Sequence, residues 1–155
     1  MYPLVKRAHV LGVAVASRKR ADSLMWGGVL ALHTRIEQEL AKRLQREHGL
    51  GLSDYRALSM LAAAKDGELR MQNLAESIGL NQSSVTRLVA RLEHAGLTRR
   101  DICANDRRGI YSVITERGRE RQAAAEPSYL AALGATLDAA ADDDELAGLV
   151  RKLRS

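Results

Sequence analysis

"MQNLAESIGLNQSSVTRLVARLEHAGLTRRDICANDRRGIYSVIT", residues 71–115, decides how this chain folds. Two helical stretches flank Gly79, and two short strand-like runs, 97–102 and 110–115, flank a tip that carries Asp106, Arg107 and Arg108. Ala75 is small where two helices must approach closely, and Gly79 sits in the turn, where a positive φ is needed. Val85 is apolar where the second helix packs back on the first, and Leu74, Ile78, Leu80 and Leu88 complete one shared core. This is the internal logic of a helix-turn-helix. Its second helix turns Gln82, Ser83, Ser84, Thr86, Arg87 and Arg91 outward, all of them hydrogen-bonding residues. Alone, the pattern also fits a plain helical hairpin with a solvated polar face. The strand pair beside it selects a winged helix. Hairpin tips ordinarily use Asn, Gly and Asp, so two arginines there point to a negatively charged partner.

Working outward, residues 24–47 read as a long helix, because Met25, Val29, Leu32, Ile36, Leu40 and Leu44 recur at spacings of three and four. Gly49 and Gly51 break it, and Ser53 is placed to N-cap a second helix over about 54–64. Lys65 to Glu68 reads as a turn, and Gly96 as the C-terminal stop of the second helix of the pair. Helical pattern returns at Glu116, with a kink or break expected near 126 because of Pro127. Tyr129, Leu130, Leu133 and Leu137 continue an apolar face. The acidic run 142–145 opens a last helix that ends in Arg151, Lys152 and Arg154, the charge order that suits a helix dipole. The expected organisation is an extension over 1–23, disordered or loosely packed, helical segments over 24–48 and 117–155, and a winged helix over 53–116.

Composition bounds the partners. Basic residues number 24 against 19 acidic ones, a net charge of +5, which modestly favours an anionic partner. Aromatics are 3% with no Phe, so the core must be aliphatic. The single cysteine, Cys103, excludes an internal disulfide framework and suits a reducing cytosol. No apolar run reaches the ~18 residues of a membrane span. Lys6 and Arg7 before the apolar stretch Ala8 to Ala16 imitate a signal peptide, but Arg18, Lys19 and Arg20 follow at once and oppose export; Met25 is an alternative start. The histidines His9, His33, His48 and His94 show no ligand spacing, and no phosphate loop or nucleophile motif is present, so an enzyme, a metal site and a cofactor are not expected.

"SSVTRLVARLEHAGLTRR", "DRRGIYSVIT" and the "ERG" just after it resemble the MarR family of transcriptional regulators. The family wing has an Asp, any residue, an Arg, then a run ending in an apolar residue and Thr; Asp106, Arg108, Ile114 and Thr115 match it at the expected spacing. The resemblance spans about residues 25–153. It implies a mainly α fold with a small β-hairpin, a winged helix-turn-helix flanked by N- and C-terminal dimerisation helices. It implies a cytoplasmic homodimer, a repressor by expectation, that binds an inverted-repeat operator in double-stranded DNA. Gln82, Ser83, Ser84, Thr86 and Arg87 would meet base edges in the major groove. Arg108 would enter the minor groove, oriented by Asp106, while Arg107, Arg99, Arg100 and Arg91 meet the backbone. Many family members release DNA when a small, often phenolic or anionic, effector binds. Trp26, His33, Tyr55 and Tyr111 are candidates for such a pocket, with core or surface packing as the plainer role of each.

Two other readings remain beside this one. Cys103 lies among Arg99, Arg100, Arg107 and Arg108, surroundings that can lower a thiol pKa and serve redox sensing; family redox sensors, however, place their reactive cysteine near the first helix. A winged helix used only for protein contact should carry acidic or apolar residues where this chain has Arg87 and Arg91.

Overall fold

A computed structural model describes residues 4–102 and 109–155. Among them are six α-helices and three strands: α1 (Leu4–His48), α2 (Leu52–Ala63), β1 (Glu68–Arg70), α3 (Met71–Ile78), α4 (Gln82–His94), β2 (Thr98–Ile102), β3 (Ile110–Ile114), α5 (Glu116–Ala141) and α6 (Ala147–Leu153). They divide into two compact units, Glu39–Leu133 and Met1–Gln38 with Gly134–Ser155.

The Glu39–Leu133 unit holds the winged helix. The last turns of α1 supply Leu40 and Leu44, and α2 supplies Tyr55, Ala57, Leu58 and Leu61, all buried. Leu74 and Ala75 of α3 and Val85, Leu88, Val89 and Leu92 of α4 bury in the same unit, while Ile78 and Leu80, expected in the same core, are half-buried. Burying each such aliphatic side chain is worth about 1.5–3 kcal/mol. Tyr55 stacks on Tyr129 of α5 with ring centroids 4.6 Å apart. The sheet is antiparallel in the order β1-β3-β2. Thr98 pairs with Ile114 and Ile102 with Ile110, while Glu68 pairs with Val113 and Arg70 with Tyr111.

Thr115 closes the unit. Its hydroxyl donates to the Gly96 carbonyl at 2.8 Å and accepts from Gly118 N–H at 3.1 Å, and its own N–H donates to the Leu97 carbonyl at 3.0 Å. One residue thus joins the end of β3, the turn after α4 and the first turn of α5. At the end of α1, Glu47 accepts from Arg43 at 2.5 Å and Arg46 at 3.1 Å. The Arg43, Ser128 and Arg46 hydrogen bonds lower its carboxyl pKa to about 2. His48 Nε2 and the Ser128 hydroxyl share a hydrogen bond of 2.8 Å.

The other unit packs Leu32 against Ala140, Leu146 and Val150, with Ile36, Leu137, Ala141 and Leu149 around them. The acidic run forms its turn: the Asp143 carbonyl accepts from Leu146 and Ala147, and its carboxylate from Glu145 N–H at 3.0 Å. Arg35–Asp143 (3.6 Å) and Arg154–Asp138 (2.8 Å) are surface ion pairs of the same unit.

Three expectations are corrected. A third strand, β1, follows a short 3₁₀ turn at Lys65–Gly67 where only a turn was read; it supplies backbone partners to the second edge of β3, a requirement its own three residues do not advertise. Ser53 is not the cap of α2, which starts at Leu52, two residues before the expected 54, behind Gly51 and with no side-chain cap. Pro127 does not break α5, which runs from Glu116 to Ala141. Pro127 and Ala123 are both exposed, so the carbonyl that loses its i+4 donor lies on the solvated side of the helix. Helix α1 is described from Leu4 onward; its stretch after Pro3 contains no proline to stop it.

Candidate nucleic-acid interface

The turn between α3 and α4 depends on Gly79. Its φ is 73°, the left-handed region that an L side chain enters only at a cost. In that conformation its N–H reaches back to Glu76 and the Leu80 N–H to Ala75, which ends α3 within one residue. Asn81 then caps α4. Its Oδ1 accepts from Ser84 N–H at 2.9 Å and from the Ser83 hydroxyl at 2.8 Å. The Thr86 hydroxyl donates to the Gln82 carbonyl at 2.8 Å.

These bonds fix which side chains face out. Val85, Leu88, Val89 and Leu92 turn inward, so Gln82, Ser83, Thr86 and Arg87 are exposed on one side, and Ser84 is half-buried. Arg87 makes no ion pair or hydrogen bond among the described residues. Arg91, Arg99 and Arg100 are engaged. Arg91 holds Asp54 through Nη2 at 2.5 Å and Nε at 3.2 Å, and Asp54 is only 13% exposed. Arg100 pairs with Glu93 at 3.0 Å and Arg99 with Asp101 at 2.7 Å, both on the surface. Such exposed pairs are worth about 0–1 kcal/mol, so exchange of either carboxylate for a phosphate costs little. Asp106, Arg107, Arg108 and Cys103 lie outside the described residues.

The four aromatic and histidine candidates fall in both units, Tyr55 and Tyr111 in Glu39–Leu133 and Trp26 and His33 in the other. Tyr55 is buried and lines a cavity of about 400 Å³ with Tyr129, Met60, Ile78, Arg56 and Glu126. Tyr111 instead receives a hydrogen bond of 2.8 Å from Arg70 Nε, and the Arg70 guanidinium lies 5.5 Å from its ring centre. Trp26 and His33 belong to the other unit, where Trp26 is exposed and His33 faces Glu37 at 3.8 Å. Sequence reading missed Asn81, although Asn just before a helical run is a standard cap signal. It also missed Tyr129, Arg56 and Glu126, whose convergence with Tyr55 joins two separate stretches of chain. Among the described residues no three His, Cys, Asp or Glu gather to hold a metal, and no helix is long and apolar enough to cross a membrane.

Residues 50–110 match the protein-family model described as the MarR family. Solved structures of that family match across most of the chain. AbsC, a MarR family transcriptional regulator from Streptomyces coelicolor, is 28% identical with a TM-score of 0.72; the match covers 86% of this chain and 89% of AbsC. Sco3205, a MarR family transcriptional regulator from the same organism solved in complex with DNA, is also 28% identical with a TM-score of 0.72, covering 87% of this chain and 84% of its own. CouR from Rhodococcus jostii RHA1, solved bound to p-coumaroyl-CoA, is 25% identical with a TM-score of 0.65, covering 81% and 83%. No curated protein sequence matches the chain.

Proposed function

Residues 50–110 carry a MarR-family domain, and from that premise we propose that the protein is a sequence-specific, DNA-binding transcriptional repressor that works in the cytoplasm as a homodimer. The single observation that carries the reading is the outer face of α4, where Gln82, Ser83, Thr86 and Arg87, which has no partner among the described residues, stand together at the start of a helix. The first turns of a recognition helix are the part that reaches base edges in the major groove. The relative Sco3205, solved in complex with DNA, supports the same reading.

In this mechanism Arg87 bonds a base edge, an interaction worth about 1–3 kcal/mol of discrimination. Arg99 and Arg100 exchange their surface carboxylates for phosphates. Arg107 takes a further phosphate, and Arg108, steered by Asp106, enters the minor groove, where narrow geometry concentrates negative potential. Arg91 has a second task, because its bond to Asp54 braces α4 against α2.

The unit formed by Met1–Gln38 and Gly134–Ser155 leaves Leu24, Met25, Trp26, Leu30 and Leu153 exposed. A second copy covering these residues gives twofold symmetry, which matches an inverted repeat with half-sites one helical turn apart. A species of 17.0 kDa in sedimentation at micromolar concentration would remove the dimer. Small-molecule release fits the cavity beside Tyr55, and CouR is a relative with a bound ligand. An effector acts there only by preferring the dimer geometry that misaligns the two recognition helices.

Selection of bound duplexes from random DNA tests the proposal. The expected result is a twofold-symmetric motif, weakened sharply by Arg108→Ala and relaxed at one base position by Arg87→Ala, with affinity falling steeply as salt rises. Failure to retain any duplex at low ionic strength would overturn it.

A further inference from the structure

Beside the last turn of α4 three guanidiniums line one cavity of about 330 Å³. Arg91 comes from α4, while Arg117 and Arg121 stand one turn apart on the same face of α5. Asp54 is the one carboxylate in the lining, and Arg91 is bound to it. Three guanidiniums against one carboxylate leave two positive charges without a counter-charge in the wall. Arg121 donates to the His48 carbonyl, which is neutral and leaves its charge in place. Arg117 has no ion pair or hydrogen bond among the described residues.

The head groups lie close over bare backbone. A Cβ added at Gly49 would sit 3.7 Å from Arg121 Nη2, and one added at Gly96 would sit 3.6 Å from Arg117 Nη1. The wall is therefore a recess in which Gly49 and the apolar Leu50, Leu92, Ala95 and Leu97 surround the guanidiniums. Like charges facing one recess repel, and an oxyanion accepting from both relieves that repulsion while using the planar donor fork that makes Arg a phosphate ligand. We propose that this recess binds a phosphate-class oxyanion, held by Arg117 and Arg121 and bounded by the Asp54–Arg91 pair. The phosphate group arrives either on a free phosphate or as a backbone phosphate of bound duplex.

Two measurements on the full chain separate these sources. The first is the thermal midpoint in sodium phosphate against sodium chloride at matched ionic strength. A phosphate-specific, saturable rise that Arg117→Gln abolishes, with the variant's midpoint in chloride unchanged, supports a free-anion site. Should Arg117→Gln lower the chloride midpoint, Arg117→Lys keeps the charge without the fork and is expected to weaken the phosphate response. The second is the salt dependence of duplex affinity. A log–log slope shallower by about one in Arg117→Gln identifies a backbone contact. Wild-type and variant responses that coincide in both measurements overturn the proposal. The thermal measurement needs no DNA, so failure of the protein to bind any duplex would sink the regulatory reading and leave this site to be decided by phosphate alone.

Discussion

Gly118→Ala is the sharpest test of how the wing is joined to the helix behind it. A methyl group at residue 118 overlaps the Leu97 carbonyl oxygen, approaches the Leu97 carbonyl carbon at 3.1 Å and meets Ile114 Cγ1 at 2.8 Å. Two of these three atoms are backbone and cannot rotate away. The Leu97 carbonyl also accepts the Thr115 N–H at 3.0 Å, so displacing it stretches the bond that joins the end of β3 to the start of β2. Overpacking costs about 1–3 kcal/mol, and a backbone collision puts this substitution at or slightly above the upper end. Alanine recovers at most about 1 kcal/mol in helix propensity. The net loss is about 2–3 kcal/mol. At about 2–4 °C per kcal/mol for a chain of this size, the thermal midpoint falls by about 4–12 °C. Urea unfolding followed by far-ultraviolet circular dichroism, at one fixed protein concentration, measures it. A variant within about 0.5 kcal/mol of the parent at the same m-value would refute the close approach of α5 to Leu97.

Asn81→Ala removes the cap of α4 and should cost about 1 kcal/mol, visible as faster amide exchange at Ser83 and Ser84; unchanged exchange would mean that water replaces the cap without loss. Thr98 is buried with its hydroxyl oxygen unpaired among the described residues, so Thr98→Val, which keeps the shape, should raise stability by about 1 kcal/mol; a lowered urea midpoint would contradict this. The Glu47 carboxyl titrates at about 2 in the fold against an ordinary 4.5. A depressed pKa contributes stability that is fully present above the ordinary value and lost as pH falls through the folded one. Glu47→Gln should therefore flatten the stability curve between about pH 4.5 and 2. The carboxylate is partly open to water, so the effect is small; superimposable acid limbs would disprove it.

The helix-turn-helix was legible because its constraints are local and chemically narrow. Ala75, Gly79 and Val85 each sit where only a small, left-handed or apolar residue serves, and burial and φ agree with all three. The hairpin was legible for the same reason: its two strands pair in register from Thr98–Ile114 to Ile102–Ile110. What escaped is long-range. β1 has three residues and one apolar side chain, and it exists because β3 has a second edge to satisfy. The Asp54–Arg91 pair joins residues 37 apart, and nothing near either residue announces the other. Pro127 misled because nothing near it in the chain shows that its ring and the carbonyl that loses a donor lie on the solvated side of α5. On the polar face of α4 Gln82, Ser83, Thr86, Arg87 and Arg91 point out as expected and Ser84 is half-buried, yet the ion pairs of Arg91, Arg99 and Arg100 depend on neighbours that no periodicity reveals.

The Thr115 knot constrains how this protein can diversify. With Gly96, Leu97 and Gly118 tied to a single residue and five successive rungs formed between β2 and β3, neither strand can gain or lose a residue. A one-residue slip would swap every side chain to the opposite surface of the sheet. Changes of length are therefore confined to the sequence between Ile102 and Ile110, where Arg107 and Arg108 reside. The paired frame thus fixes where the chain can vary in length without disturbing the sheet.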